Sequence, residues 1–233
     1  MLIYTLMVYK SQKAASLYSE FANSKNLNEA KIMPGTFNGT TLTISATPVD
    51  GALIPDKSAT NVAGIAIVGS DMYCVKTTGL KTTLLKTTDY MATKATAVKK
   101  DLNWFALGLT KIGNYLYMLA EDHKGYGGST TVVKLDTKGN QLGTYSINEI
   151  CPKGALGITA ADGTNEKFII MHYADKSNAG TLAFSVVDWK AAEAASTFTV
   201  TNSGFGYTTR LQDIYYHTSF GLFILTNNTF LTL

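Results

Sequence analysis

Apolar and polar positions alternate in short runs along most of this chain, the pattern of half-buried β-strands rather than helices. Gly64-Ile65-Ala66-Ile67-Val68-Gly69-Ser70-Asp71-Met72-Tyr73-Cys74-Val75 reads as strand, turn and strand. Gly108-Leu109-Thr110-Lys111-Ile112-Gly113-Asn114-Tyr115-Leu116-Tyr117-Met118-Leu119 repeats that pattern. A third copy opens Gly157-Ile158-Thr159-Ala160-Ala161-Asp162-Gly163 and resumes at Phe168-Ile169-Ile170-Met171-His172. Turn residues set between two apolar runs signal a β-hairpin. Polar, Gly-rich loops over 122–128 and 175–180 then lead into third strands at 129–135 and 181–187. An acid closes each third strand, Asp136 or Asp188, and Asp89 falls at the corresponding place in the first unit. A carboxylate at a strand end caps nearby backbone amides and starts a turn. After the turn Asp136-Thr137-Lys138-Gly139-Asn140, residues 142–147 supply a fourth strand, so the unit is a four-stranded antiparallel meander.

A fourth copy begins near Asp213-Ile214-Tyr215-Tyr216-His217 and resumes at Leu222-Phe223-Ile224-Leu225-Thr226. The openings Gly64, Gly108, Gly157 and Asp213 lie 44, 49 and 56 residues apart. Four-stranded units recurring at about 40–50 residues are the signature of β-propeller blades. The expected fold is therefore all-β, a single propeller domain over residues 1–233. Blades are expected at 61–100, 101–152 and 153–207, with a last one at 208–233 that stops short of its outer strands. The alternating run Leu2 to Tyr9, within residues 1–10, is expected to complete that blade and close the ring. Residues 11–60 have room for one irregular blade, making five. A short helix is expected over 12–24, where Ala14, Leu17, Tyr18 and Phe21 recur at helical spacing. Met33-Pro34-Gly35 reads as irregular, and 41–47 reads as a strand.

The Gly64-Ile65-Ala66-Ile67-Val68-Gly69 hairpin, the Lys76-Thr77-Thr78 continuation and the Gln212-Asp213-Ile214 opening resemble propellers of secreted bacterial proteins, including lectin-like ones and the helveticin-type, bacteriocin-like group. The resemblance runs over residues 64–233. It implies a secreted or cell-surface propeller acting on bacterial envelopes, and it brings no catalytic residues with it.

Composition narrows the classes. Hydrophobic residues make up 45% of the 233 and charged residues only 16%, while threonine numbers 32. Neutral hydroxyls thus cover surface that charge would ordinarily cover, and a disordered chain, a long coiled coil and a collagen are all excluded. Nineteen lysines and the single Arg210 face 17 acids, for a net charge of +3. The lysines are scattered, whereas nucleic-acid binders cluster basic residues and favour arginine, so no nucleic-acid partner is expected. Cys74 and Cys151 stand 77 residues apart with no CxxC, which excludes a zinc site. Burial as small hydrophobes suits both, and a disulfide remains open should their strands adjoin. The apolar N-terminal run is too short to span a bilayer and lacks a basic flank, so neither a transmembrane segment nor a signal peptide is visible. A Thr-rich β protein suits an extracellular or cell-surface location. Asn38-Gly39-Thr40 and Asn227-Asn228-Thr229 are sequons, relevant only in a eukaryotic secretory pathway.

Propeller ligands commonly sit where the innermost strands begin. Just ahead of those positions lie Asn61, Asn103, Trp104, Lys153, Arg210 and Gln212, with Asp213 at one. Amides offer donor and acceptor together, Arg a planar fork and Trp a stacking face, which together suit a polar ligand such as a sugar. The competing reading is that these groups bond to neighbouring loops and seal the channel. An axial metal would need acids or histidines at several equivalent positions, and only Asp213 is acidic, so neither metal nor cofactor is expected. His123, His172 and His217 share no spacing that joins them, and no nucleophile elbow or metalloprotease motif occurs. Residues 125–128 join two strands and lack the features of a phosphate loop. Trp189 is expected to pack between blades. The sequence reads best as a non-enzymatic binding module for a glycan or cell-surface component. A self-assembling structural subunit of an extracellular assembly or filament, and a hydrolase of lactonase-like propeller type, stand as alternatives.

Overall fold

A computed structural model describes residues 2–9, 29–37, 42–44, 54–55, 61–88, 95–122, 129–152, 154–162, 166–174, 181–189, 194–201, 211–217, 221–226 and 230–232. All the regular elements among them are strands, and they form five successive antiparallel sheets, here blades I to V. Blade I holds β1 (Leu2–Tyr9), β2 (Glu29–Phe37), β3 (Leu42–Ile44) and β4 (Ile54–Pro55). Blade II holds β5 (Asn61–Val68), β6 (Asp71–Thr78), β7 (Lys81–Thr87) and β8 (Thr96–Leu102). Blade III holds β9 (Phe105–Ile112), β10 (Tyr115–Glu121), β11 (Thr130–Leu135) and β12 (Gln141–Ser146). Blade IV holds β13 (Ala155–Asp162), β14 (Lys167–Tyr173), β15 (Thr181–Asp188) and β16 (Ala194–Thr201). Blade V holds β17 (Leu211–His217), β18 (Gly221–Thr226) and β19 (Phe230–Thr232). Blades II to V are simple meanders.

The first strand of each blade packs on the first strand of the next, β5 on β9, β9 on β13 and β13 on β17, while β1 lies beside β5. The amide of Ala106 reaches the Thr77 hydroxyl, which sits opposite Asn61, while Gly64 abuts Leu109, so β5 and β9 run the same way. Meander sheets whose first strands pack in series make a β-propeller.

Apolar side chains fill the boundaries between blades, as an architecture of stacked sheets requires. Leu84, Val75, Leu109, Met118 and Val133 bury between blades II and III. Tyr117, Leu119, Ile158, Phe168 and Ile170 do so between III and IV, and Met171, Phe184 and Ile214 between IV and V. Cys151 belongs to the second of these cores, Cys74 is buried in blade II, and both are free thiols, which closes the disulfide question. Burial pushes each thiol up to about 12.

Each first strand of blades II to V carries a one-residue bulge partway along, at Gly64, Leu107, Leu156 and Gln212. Gly64 shows why the chain needs it. Its φ is +64°, and a Cβ there would lie 2.1 Å from the backbone nitrogen of Leu109. A bulge bends a strand and steepens its twist, here where β5 lies directly against the backbone of β9. The glycines that head the sequence repeats thus mark mid-strand bulges, and β5, β9 and β13 begin a few residues earlier.

Two expectations change near the N-terminus. Leu2–Tyr9 does not complete the last blade. It pairs along its whole length with β2, from Leu2 opposite Thr36 to Tyr9 opposite Glu29. An alternating run specifies which face is apolar but not which edge it joins. β2 offers a matching eight-residue register, whereas β19 spans only three residues. Met33-Pro34-Gly35, read as irregular, lies inside β2, and the pairing of β2 with β3 stops at Gly35, just short of the proline that has no donor to give. The helix expected over 12–24 lies outside the described residues.

Candidate functional site

The segment leading from β8 into β9 is held by threonine hydroxyls. Thr82 Oγ1 donates to the Trp104 carbonyl at 2.7 Å and lies 2.7 Å from Thr77 Oγ1. The Ala106 amide donates to both hydroxyls at 3.3 Å. Both threonines are buried, so these bonds satisfy groups that would otherwise be desolvated without partners. The chain turns tightly here, with Trp104 N–H donating to the Leu102 carbonyl at 2.8 Å. Asn103 is left exposed and Trp104 half-buried against the core between blades II and III. The indole Nε1–H donates to Gln141 Oε1, at 3.3 Å, on the outermost strand of blade III. Gln141 is a site-forming residue that the sequence reading missed. Only the packing of the adjacent blades II and III brings it to Trp104.

The other expected site residues fall as follows. Asn61 opens β5, opposite Thr77. Gln212 is the bulged residue of β17, and Asp213 pairs with Leu225. Arg210 and Lys153 lie outside the described residues. The structure therefore joins Asn103 and Trp104 in one turn, beside Gln141, and sets Asn61, Gln212 and Asp213 at or near the starts of other first strands. His172 is a buried structural residue. Its Nε2 bonds Ser185 Oγ at 2.9 Å, its Nδ1 lies 3.2 Å from the Tyr173 carbonyl oxygen, and burial holds its pKa below the usual value. His123 lies outside the described residues, and His217 ends β17 opposite Gly221. Among the described residues no three His, Cys, Asp or Glu side chains come together in a way that could hold a metal. No helix among them is long and apolar enough to cross a membrane.

A second constellation occupies the boundary of blades III and IV. Thr110, Tyr117, Lys134 and Gly143 stand opposite one another across β9 to β12 and form one row. The Thr110 hydroxyl accepts the Ala160 amide of blade IV at 3.2 Å. Trp189, just past β15, meets Tyr117 edge-on at 5.6 Å between ring centroids and Tyr145 at 6.1 Å. It packs between blades, as its place after a third strand suggested. Lys134 Nζ lies 4.4 Å from the Tyr115 ring centroid, 5.4 Å from that of Tyr117 and 6.0 Å from that of Trp189. Glu166 of blade IV accepts from both Lys134 Nζ and the Tyr117 hydroxyl. Burial raises the Tyr117 pKa, and the Glu166 hydrogen bond and charge add to it.

The same row exists in blade II as Ala66, Tyr73, Lys86 and Thr96. There Lys86 pairs inside its own blade with Asp71 at 3.1 Å, and Tyr73 is bonded to Thr137 of blade III. In blade IV the row is Thr159, Ile169, Val186 and Ser196, and the Thr159 hydroxyl accepts the Tyr216 amide at 3.0 Å. The recurrence of Tyr and Lys at 73, 86, 117 and 134 is the sequence signal that would have located this interface.

The sequence matches no protein-family model and no curated protein. Among solved structures the chain is similar to hydrazine synthase of Kuenenia stuttgartiensis, with a TM-score of 0.50 and 10% identity over 86% of this chain and 53% of that one. It is similar to the NanB sialidase of Streptococcus pneumoniae, with a TM-score of 0.50 and 12% identity over 85% of this chain and 32% of that one. It is also similar to glutaminyl cyclase of Myxococcus xanthus, with a TM-score of 0.48 and 14% identity over 84% of this chain and 81% of that one. The chain thus spans about half of the first and a third of the second. Likeness at such identities concerns fold, because function resides in sites that vary on a shared scaffold.

Proposed function

We propose that this chain is a five-bladed propeller that serves as a non-enzymatic binding module for a glycan or other cell-surface component, outside the cell or at its surface. The observation that carries this reading is Trp104, a half-buried indole steadied by the Gln141 amide and flanked by exposed Asn103. An indole face accepts the apolar face of a sugar ring, and amides supply both donors and acceptors to its hydroxyls. By sequence position, Asn61, Arg210, Gln212 and Asp213 are the further polar residues proposed to contribute to the same ligand, Asn61 opening β5 and Gln212 and Asp213 lying near the start of β17. The resemblance to helveticin-type propellers supports a bacterial envelope as the source of the ligand.

A glycan array probed with the folded protein tests the reading. Binding to a defined glycan class, lost in Trp104→Ala and weakened in Asn103→Ala with unchanged circular dichroism, is the expected outcome. A blank array overturns it. The exposed outer strands β8 and β12 favour a second reading, self-assembly through sheet edges. Light scattering that rises with protein concentration is its signature.

A further inference from the structure

The surroundings of Lys134 have the makeup of a receptor site. Two tyrosine rings and an indole lie within 6.0 Å of its ammonium nitrogen. A carboxylate, Glu166, completes the set from the neighbouring blade. Aromatic faces with an anionic partner form the chemistry that recognises alkylammonium groups, because the ring quadrupole attracts a cation while its alkyl substituents bury against carbon. One wall is open to solvent, with Tyr115 exposed to 43% of its full area. The Lys134 and Glu166 side chains retain 17% and 18% exposure.

The repeat shows that this site is particular to one boundary. At the equivalent row of blade II the lysine is tied to Asp71 of its own sheet, and in blade IV the Tyr and Lys positions hold Ile169 and Val186. Holding blades together therefore does not require the arrangement.

We propose that the boundary of blades III and IV contains an alkylammonium-binding site, walled by Tyr115, Tyr117, Trp189 and Glu166 and filled in the resting protein by Lys134. A ligand bearing a quaternary or methylated ammonium enters by displacing the lysine side chain toward solvent through the Tyr115 wall. Such a group carries the same charge as the lysine, is more weakly hydrated and presents methyl groups to the rings.

Titration with tetramethylammonium chloride, with sodium chloride as the ionic-strength control, tests this in the full chain. The indole N–H resonance and fluorescence of Trp189 serve as readouts. Lys134→Ala is expected to bind at least tenfold more tightly than the unaltered protein, and Lys134→Met, which keeps an apolar stem in the cage, more weakly than Lys134→Ala. Trp189→Leu in the Lys134→Ala background is expected to abolish binding, followed there by titration calorimetry and by the ring resonances of Tyr115 and Tyr117. Folded Lys134→Ala that binds no more tightly than the unaltered chain overturns the proposal. Should Lys134→Ala fail to fold, the unaltered protein decides: saturable shifts confined to Tyr115, Tyr117 and Trp189 support the site, and their absence overturns it.

Discussion

Trp189 of blade IV lies against Gly143 of blade III so closely that a Cβ on the glycine would stand 3.2 Å from the indole Cζ2. Gly143 sits opposite Lys134, itself opposite Tyr117, so the indole rests over a gap at the end of that row. The absent side chain is what lets the ring in.

Filling the gap separates the blades. Gly143→Val is expected to destabilise the protein by about 1–3 kcal/mol, as overpacking of a close-packed interior does. Its tryptophan emission should shift to the red as Trp189 is pushed into water. Thermal melts and emission spectra check both, and a variant with unchanged spectrum and stability would show that the ring does not depend on the gap.

Gly64 and Gly69 separate backbone strain from packing. Both have positive φ, +64° and +62°, but only Gly64 would drive a Cβ into a neighbour, whereas nothing lies within 4 Å of Gly69. Gly69→Ala is expected to cost about 1–2 kcal/mol, the left-handed backbone penalty alone. Gly64→Ala adds a collision with the backbone of β9 and should cost at least about 3 kcal/mol. Denaturant unfolding of the two variants measures the difference. Equal costs would place the strain, rather than blade docking, in control.

Much of this architecture is legible in the residues because it is set by local chemistry. The turn Asp136 to Asn140 folds as read, with the Asp136 carboxylate accepting the Lys138 and Asn140 amides at 2.8 Å. Burial pushes that carboxyl up, but hydrogen bonds from Asn140 and Lys138 outweigh it and hold it below its ordinary value. The bulges and the Tyr117–Lys134 row were not legible, because neighbouring blades impose them across tens of residues. Gln141 is the same case. Its position in a fourth strand says nothing of Trp104, and only the packing of blade III on blade II makes them partners. The partner of Leu2–Tyr9 was misread for a related reason, since alternation fixes a face and leaves the edge open.

Thr110 and Thr159 explain how the first strands satisfy amides that their own sheets leave over. Each hydroxyl accepts from the next blade, Thr110 from Ala160 and Thr159 from Tyr216. Replacing either by valine preserves shape but leaves an N–H without its acceptor, at a cost of about 1–3 kcal/mol. Hydrogen exchange should quicken at Ala160 in Thr110→Val and at Tyr216 in Thr159→Val. Exchange that stays slow at both amides would mean that other acceptors protect them.

His172 makes stability depend on pH in a definite direction. It is a buried residue of β14 with Ser185 of β15 as its side-chain partner, and burial lowers its pKa from the ordinary 6.5. The unfolded chain therefore takes up a proton at this residue at a higher pH than the folded chain does. The stability this residue contributes is fully present above about pH 6.5 and is lost as pH falls from there through the depressed folded value. The melting temperature should decline between about pH 7 and pH 5, a range above the ordinary titration of Asp136. In His172→Gln, whose amide can still reach Ser185, that decline should flatten even if the variant is less stable throughout. A slope identical to that of the unaltered protein would assign the pH dependence to other groups.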